Sequence, residues 1–379
     1  MDPRDFTNPT AGRLVRTSRG AAAFVPSPLP PPLEPTWNLV SATTRAQAAV
    51  GNLRGVGRTL PNPHLLIQPF ARREAVLSSR IEGTEASVSD LLLFEVAPKP
   101  AAGQTDVPEV ANYIEALNLG LGRLSEIPLS LRFIREVHER LLRGVRGATR
   151  APGEFRRDQN WIGSPGATIE TAMFVPPPVP EMHEALDALE KYFHADSELP
   201  PLIRIALIHY QFETIHPFLD GNGRVGRLLI TFLFQVWGLL DQPLLYLSAF
   251  FERHREDYYT LLDAGRRGKY AEWVLFFLRA VEDQANDAVA RANRLLELRD
   301  DYRRRVTAAR SSALLAAAVD HLFETPALTV VRLRSLLGVT HRAAQMNMQK
   351  LVSAGIVTEP PEGRNRVYLA EGILALVEA

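Results

Sequence analysis

Between Leu202 and Phe212 the chain carries Leu202, Ile203, Ile205, Ala206, Leu207, Ile208, Tyr210 and Phe212, with Arg204 as the one cation. A stretch that is apolar on every side reads as a helix buried in a core. Pro217 ends it, because the residue before a proline is pushed out of the α region. A second apolar run opens soon after, at Arg224-Val225-Gly226-Arg227-Leu228-Leu229-Ile230. Two buried helices joined by one tight connection constrain the fold more than any other feature. They require a helical core in which the connection, His216 to Gly223, is the part left to meet solvent.

That connection is rich in chemistry. Gly221 and Gly223 lack a Cβ, so the backbone can turn sharply and aim successive N–H groups into one concavity, with Asn222 between them. The helix that follows presents its first N–H groups and the positive end of its dipole, an arrangement that attracts anions. Arg224 and Arg227 are three apart and share a helical face, with Val225 and Gly226 between them. Charge-assisted bonds to two phosphate groups would be worth about 1.5 to 3 kcal/mol each. His216, held at the helix exit, titrates near neutrality and can take a proton from a hydroxyl. Asp220, the only carboxylate of the loop, suits a Mg²⁺ ion shared with phosphate oxygens. His209, seven residues before His216, has no partner at ligand spacing. It reads as an interior histidine, since zinc needs three or four donors.

The pattern His216-x-Phe218-x-Asp220-Gly221-Asn222-Gly223-Arg224-x-x-Arg227 resembles the signature of the Fic family, with no departure at those positions. The resemblance implies transfer of AMP from ATP, with Mg²⁺ or Mn²⁺, onto a Ser, Thr or Tyr hydroxyl of a target protein. It implies His216 as base, Asp220 on the metal, and His216 with Gly221 through Arg227 around the nucleotide. Relatives move UMP or phosphocholine, or remove AMP, so the transferred group and its direction stay open.

Upstream, Ser78-Ser79-Arg80-Ile81-Glu82-Gly83 is similar to the inhibitory element of self-restrained Fic proteins. Helix formers from Phe70 to Glu82 and a glycine after them place Ser78 and Glu82 on one face near a helix end, with Gly83 just beyond it. The resemblance implies that Glu82 pairs with Arg227 and takes space that the terminal phosphate needs. Residues 153–176, with the turn cluster Ser164-Pro165-Gly166, read as a hairpin that is similar to the Fic flap. Its 161–176 portion would receive a target's main chain as an added strand. The stretch around Tyr258 and Tyr259 matches one in which an aromatic ring approaches the nucleotide, and either ring could stack on adenine or serve as core packing.

Charge and composition set the outer limits. With 43 basic and 43 acidic residues and no cysteine, the 379-residue chain shows neither polyanion affinity overall nor a disulfide framework. The start lacks an apolar leader and no run reaches membrane length, which points to a cytoplasmic protein with no membrane partner. Clusters of proline divide the chain into an N-terminal arm and inhibitory helical region (1–107), a catalytic core (108–290), a connecting helix (291–310) and a winged helix-like domain (311–379). Residues 1–35 read as an extended arm wrapping the surface. The expected fold class is mainly α: a Fic-type helical core with a β-hairpin flap, plus a small winged helix-turn-helix. Three helices closed by Gly338 and Gly355, with Thr340 capping the third, carry that last reading. From Asp301 onward ten Lys/Arg face seven Asp/Glu, a weak excess. His341, Arg342, Gln345, Asn347 and Gln349 would read bases and Arg364 and Arg366 would contact phosphates, leaving DNA binding through 329–368 open, as is a homodimer. The competing function is an ATP-sensing, DNA-binding transcription regulator.

Overall fold

The computed structural model describes residues 1–59, 63–96, 106–308, 313–359 and 366–378. The expected loop at 98–104 and the tip of the expected wing, 360–365 with Arg364, lie outside the described residues. The chain begins with an antiparallel hairpin, β1 (Gly12–Arg16) and β2 (Ala22–Pro26), followed by α1 (Trp37–Thr59), α2 (His64–Ile81) and α3 (Val88–Val96). Then come α4 (Val107–Arg123), α5 (Leu131–Leu141), α6 (Val179–His194), α7 (Pro201–Ile215), α8 (Asn222–Val236), α9 (Ser248–Arg253), α10 (Arg255–Arg266) and α11 (Tyr270–Ala308). The last elements are α12 (Ala313–Glu324), β3 (Ala327–Leu328), α13 (Val330–Leu337), α14 (His341–Ser353), β4 (Tyr368–Leu369) and α15 (Glu371–Glu378). No described helix is long and apolar enough to cross a membrane.

Two compact units emerge. The first comprises Met1–Gly51, Asn112–Leu239 and Leu247–Gln284. Its centre is α7, buried on all sides from Leu202 to Ile215 apart from Arg204, as the apolar run required. Each such Leu or Ile contributes about 1.5 to 3 kcal/mol on burial, so this helix fixes where its C-terminal end must sit. It packs against α6, α8, α10 and β2. Trp273 of α11 donates its indole N–H to Ala206 O at 2.8 Å. The α5 to α8 contact centres on an edge-to-face pair, Phe133 and Phe232, 5.1 Å apart.

The N-terminal arm departs from expectation. Instead of running extended over the surface it forms the β1–β2 hairpin, in register from Gly12↔Pro26 to Arg16↔Ala22, with Gly20 at φ +82° in its turn. Leu14, Val15, Phe24 and Val25 are strand formers, and the proline run starts only after them. Gly12 is required: a Cβ there would stand 2.3 Å from Val25 O. β2 is buried, and Phe24 donates its amide to Val175 O at 3.0 Å. Ala23 packs with Ile169, Ala172 and Val175. The arm thus props the 161–176 segment, whose own pairing is a single antiparallel bridge, Ile162↔Phe174.

The second unit comprises Asn52–Ala111, Leu240–Tyr246 and Ala285–Ala379. Here α2 packs against α3, α12 and α15, and Arg72 joins Glu95 at 3.0 Å while also donating to Glu324 O. The C-terminal segment therefore shares a core with α2. Arg299 and Arg303 of α11 both grip Asp320 of α12. The connecting helix expected from 291 onward is continuous with the helix before it as one 39-residue helix, α11, because no proline or glycine interrupts the stretch. β4 pairs with β3, through Ala327↔Leu369 and Leu328↔Tyr368, and also bridges Thr358. β3 is too short to leave a period in the sequence.

Candidate active site

His216 stands where the sequence put it, as the residue that ends α7. It is left-handed, at φ 49° and ψ 61°, and its amide donates to Phe212 O at 3.0 Å. A non-glycine residue in that region carries a strain of about 1 to 2 kcal/mol, so its surroundings must hold it. Arg156 does so. Its backbone N–H donates to Pro217 O at 2.9 Å. Its Nε donates to His216 O at 3.1 Å, and its other nitrogens reach Asp158 O and Pro177 O. Asn160 Nδ2 adds bonds to His216 O at 3.2 Å and Phe218 O at 3.0 Å. Arg156 is 1% exposed, and burial pulls its guanidinium down to about 10. A lysine has one nitrogen and cannot span three carbonyl groups. Arg156→Lys is expected to lower unfolding stability by about 3 kcal/mol, as buried carbonyls lose their donors; urea denaturation reads this directly.

The loop after His216 is built to keep its shape. Asn222 accepts from Phe218 N and donates to Phe218 O, both at 2.9 Å. Its side chain is thus a brace inside the loop, and its backbone amide is what faces the concavity at the start of α8. Gly221, at φ 77°, is the cap residue of α8 and brings no side chain to occupy the first N–H groups, which have no acceptor within the helix. Along 216–227 the residues that keep partial solvent access are His216, Leu219, Asp220 and Gly223. An imidazole, a carboxylate and a glycine turn therefore open on solvent.

Arg224 and Arg227 are 2% and 3% exposed. Arginines are almost never that buried without a partner, which removes the reading of two ordinary surface cations. Asp220 Oδ1 lies 3.7 Å from Arg224 Nη2 and accepts from Gly221 N at 2.6 Å. Gly147, at φ +90°, passes so close that a Cβ there would stand 2.8 Å from Asp220 Oδ2. Among the described residues no three acidic, His or Cys side chains gather to hold a metal. One half-exposed carboxylate beside a glycine turn and a helix start still fits Mg²⁺, which takes one or two carboxylates and completes its shell with phosphate oxygens and water. It does not fit zinc.

Two further histidines organise the site: His209 is interior, as its sequence setting indicated, and the bonds that each ring makes join residues far apart in the chain. His138 of α5 is fully buried and stacks on Phe218 at 3.7 Å and 9°. Gly153 N donates to its Nδ1 at 2.9 Å, so Nε2 carries the proton and donates to Asp220 O at 3.0 Å. One neutral ring ties the start of the flap segment to the carboxylate loop. His209 of α7 donates from Nδ1 to Gly226 O at 3.0 Å and accepts from Tyr258 OH at Nε2, 2.8 Å away. It clamps α8 where the helices nearly touch, for a Cβ on Gly226 would stand 2.4 Å from Glu213 Oε1.

Burial holds His138 down to about 4 and His209 down to about 3, from 6.5. Between these values the unfolded chain binds more protons, so the stability is full above pH 6.5 and drains away as pH falls. Each histidine should remove about 1.4 kcal/mol per pH unit in that window. Urea unfolding at a series of pH values is expected to show the combined slope, and His209→Gln is expected to halve it.

The tyrosine pair divides. Tyr258 is 1% exposed, stacked on Phe251 at 4.7 Å and bonded to His209. Its ring is core packing, which corrects the expectation of a nucleotide contact there. Tyr259 is 43% exposed and keeps an accessible ring. In the second unit, Glu82 is the C-cap of α2, at φ −85° and ψ 1°, and Gly83 follows at φ +95°. Gly83 N bonds Arg80 O and Thr84 N bonds Ser79 O, a Schellman ending. Ser78 is buried.

Comparison with known proteins fits this geometry. The profile of the Fic/DOC family N-terminal region matches residues 40–122, and that of the Fic/DOC family matches 128–234, half of the chain between them. The chain belongs to the Fic/DOC family. The second match contains His138, Arg156, the flap and the whole 216–227 loop; the first contains the Glu82 turn. Over 161 residues the chain is 30% identical to proteins named protein adenylyltransferase Fic from Drosophila yakuba and Drosophila virilis. That stretch is 42% of this chain but 29% of the Drosophila yakuba protein, so the chain spans under a third of its relatives' length. The crystal structure of a Fic family protein from Desulfovibrio desulfuricans superposes with a TM-score of 0.59 at 20% identity, covering 90% of this chain and 98% of that one. Fic-1 from C. elegans gives 0.53 at 22%, covering 69% and 74%. These two likenesses concern the fold.

Proposed function

We propose that this Fic protein is a protein adenylyltransferase of the cytoplasm, a setting that its lack of cysteine fits. The observation that carries the reading is the junction of α7 and α8. A strained, braced histidine and a carboxylate open on solvent beside a helix start whose first two turns hold two buried arginines. His216 takes the proton of a Ser, Thr or Tyr hydroxyl on a target protein. That oxygen attacks the α-phosphorus of ATP, a new P–O bond forms, and the bond to pyrophosphate breaks. Arg224, Arg227 and the α8 N–H groups balance the charge that grows on the departing phosphates. Mg²⁺ or Mn²⁺, held by Asp220 and the phosphates, would screen that charge further. Tyr259 is the member of the tyrosine pair able to stack on the base. The 161–176 flap would hold the target's main chain as an added strand, its base fixed next to His216 by Asn160 and Arg156.

Glu82, at the end of α2, restrains the reaction. What supports this is the Schellman-closed turn, which fixes the glutamate's position, and the family match across it. Removal of AMP at the same site would be a hydrolysis, in which water attacks the phosphorus, the bond to the target oxygen breaks, and that oxygen leaves as the hydroxyl with a proton. Incubation with ATP labelled at the α- or the γ-phosphorus tests the reading. Label from the α position should enter protein and label from the γ position should leave as pyrophosphate. Protein labelled only from the γ position would make the chain a kinase and end the proposal.

A further inference from the structure

The C-terminal helices carry a feature that the transferase reading does not use. From Thr325 to Thr358 there is no Asp or Glu, while Arg332, Arg334, Arg342 and Lys350 fall within the stretch. In a chain whose charges balance overall, this segment is locally cationic. It folds as two helices, α13 and α14, joined by the three residues Gly338-Val339-Thr340. Gly338 ends α13 at φ 64°, and Thr340 caps α14 by accepting from Ala343 N at 3.3 Å. Leu333 and Leu337 on one helix and Ala344, Met348 and Leu351 on the other are buried. A short glycine turn between two packed helices is the geometry of a helix-turn-helix.

The outer stripe of α14 is continuous: His341, Arg342, Gln345, Met346, Gln349 and Lys350 are exposed. Five of the six can donate or accept hydrogen bonds or carry positive charge, and none is acidic. Asn347 is 8% exposed and belongs to the interior, which corrects its expected role as a base reader. Arg366, the described cation of the expected wing, pairs with Glu359 at 3.2 Å. We propose that α14 binds duplex DNA in the major groove, with Arg342 and Lys350 on phosphates and Gln345 on a base edge. A protein partner would favour the opposite pattern, an apolar stripe with a polar rim. Glutamine suits the paired donor and acceptor of adenine, and Met346 can lie on a thymine methyl.

The inference is independent of the transferase site. His216→Ala should leave it untouched, so failure of one reading does not decide the other. The test is fluorescence anisotropy of the full chain with a labelled random-sequence duplex at rising salt. Two phosphate contacts, from Arg342 and Lys350, would weaken binding roughly tenfold between about 50 and 200 mM salt. Arg342→Ala should reduce the logarithmic salt slope by about one. Gln345→Ala should leave that slope unchanged while altering the sequences enriched by selection from a random pool. No binding at low salt, equal binding of heparin and duplex, or an Arg342→Ala protein that binds as the parent does would each overturn the proposal.

Discussion

Replacing His216 by alanine is expected to lower AMP transfer by about 10² to 10⁴-fold, the usual contribution of a positioned general base. ATP binding should persist, because the contacts to phosphate come from the start of α8 and from Arg224 and Arg227, none of which depends on the imidazole. Folding should persist too. The left-handed conformation at 216 is held through its carbonyl, by Arg156 at 3.1 Å and Asn160 at 3.2 Å, and alanine keeps that carbonyl. Calorimetric titration with ATP beside a transfer assay separates the two quantities. Loss of nucleotide binding together with activity would make His216 a binding residue and leave the base unassigned.

The second large effect runs the other way. Glu82→Gly is expected to raise transfer at least tenfold, the factor that corresponds to removing about 1.4 kcal/mol of restraint. The substitution is mild structurally. Position 82 is a helix cap with ordinary backbone angles, and the Gly83 and Thr84 bonds that close α2 use main chain alone. A stability loss of about 1 kcal/mol or less is the expected accompaniment. Initial rates at saturating ATP, with thermal melts on the same samples, check both halves. Equal rates in parent and variant would remove the brake.

Most of the local geometry was legible. Pro217 announced a helix end, and α7 stops at Ile215; the left-handed φ of 49° at His216 was not announced, since a following proline ordinarily pushes a residue to extended backbone. Glycines at 83, 221 and 338 marked turns, and all three have positive φ. Such signals are local, since one residue's sterics decide them. What stayed hidden depends on residues far apart in sequence. Arg156 is 60 positions from the carbonyl it holds, and His138 is 82 from Asp220. A trace of the second existed: His138 shares one helical face with Phe133, Ile134, Val137 and Leu141, an apolar stripe in which a histidine needs a reason. Tyr258 stayed open between core and cleft because a tyrosine pair shows no preference for either until its neighbours are known. The N-terminal hairpin was missed because prolines just beyond it dominated the reading of that stretch.

The central claim is that the α7–α8 junction moves a nucleotidyl group, and intact-mass analysis of the Glu82→Gly protein after incubation with ATP and Mg²⁺ tests it most directly. The expected result is a population heavier by one adenylyl group that disappears when His216→Ala is added. An unmodified mass in the Glu82→Gly protein at every ATP concentration, or an adduct that survives the loss of His216, would contradict it.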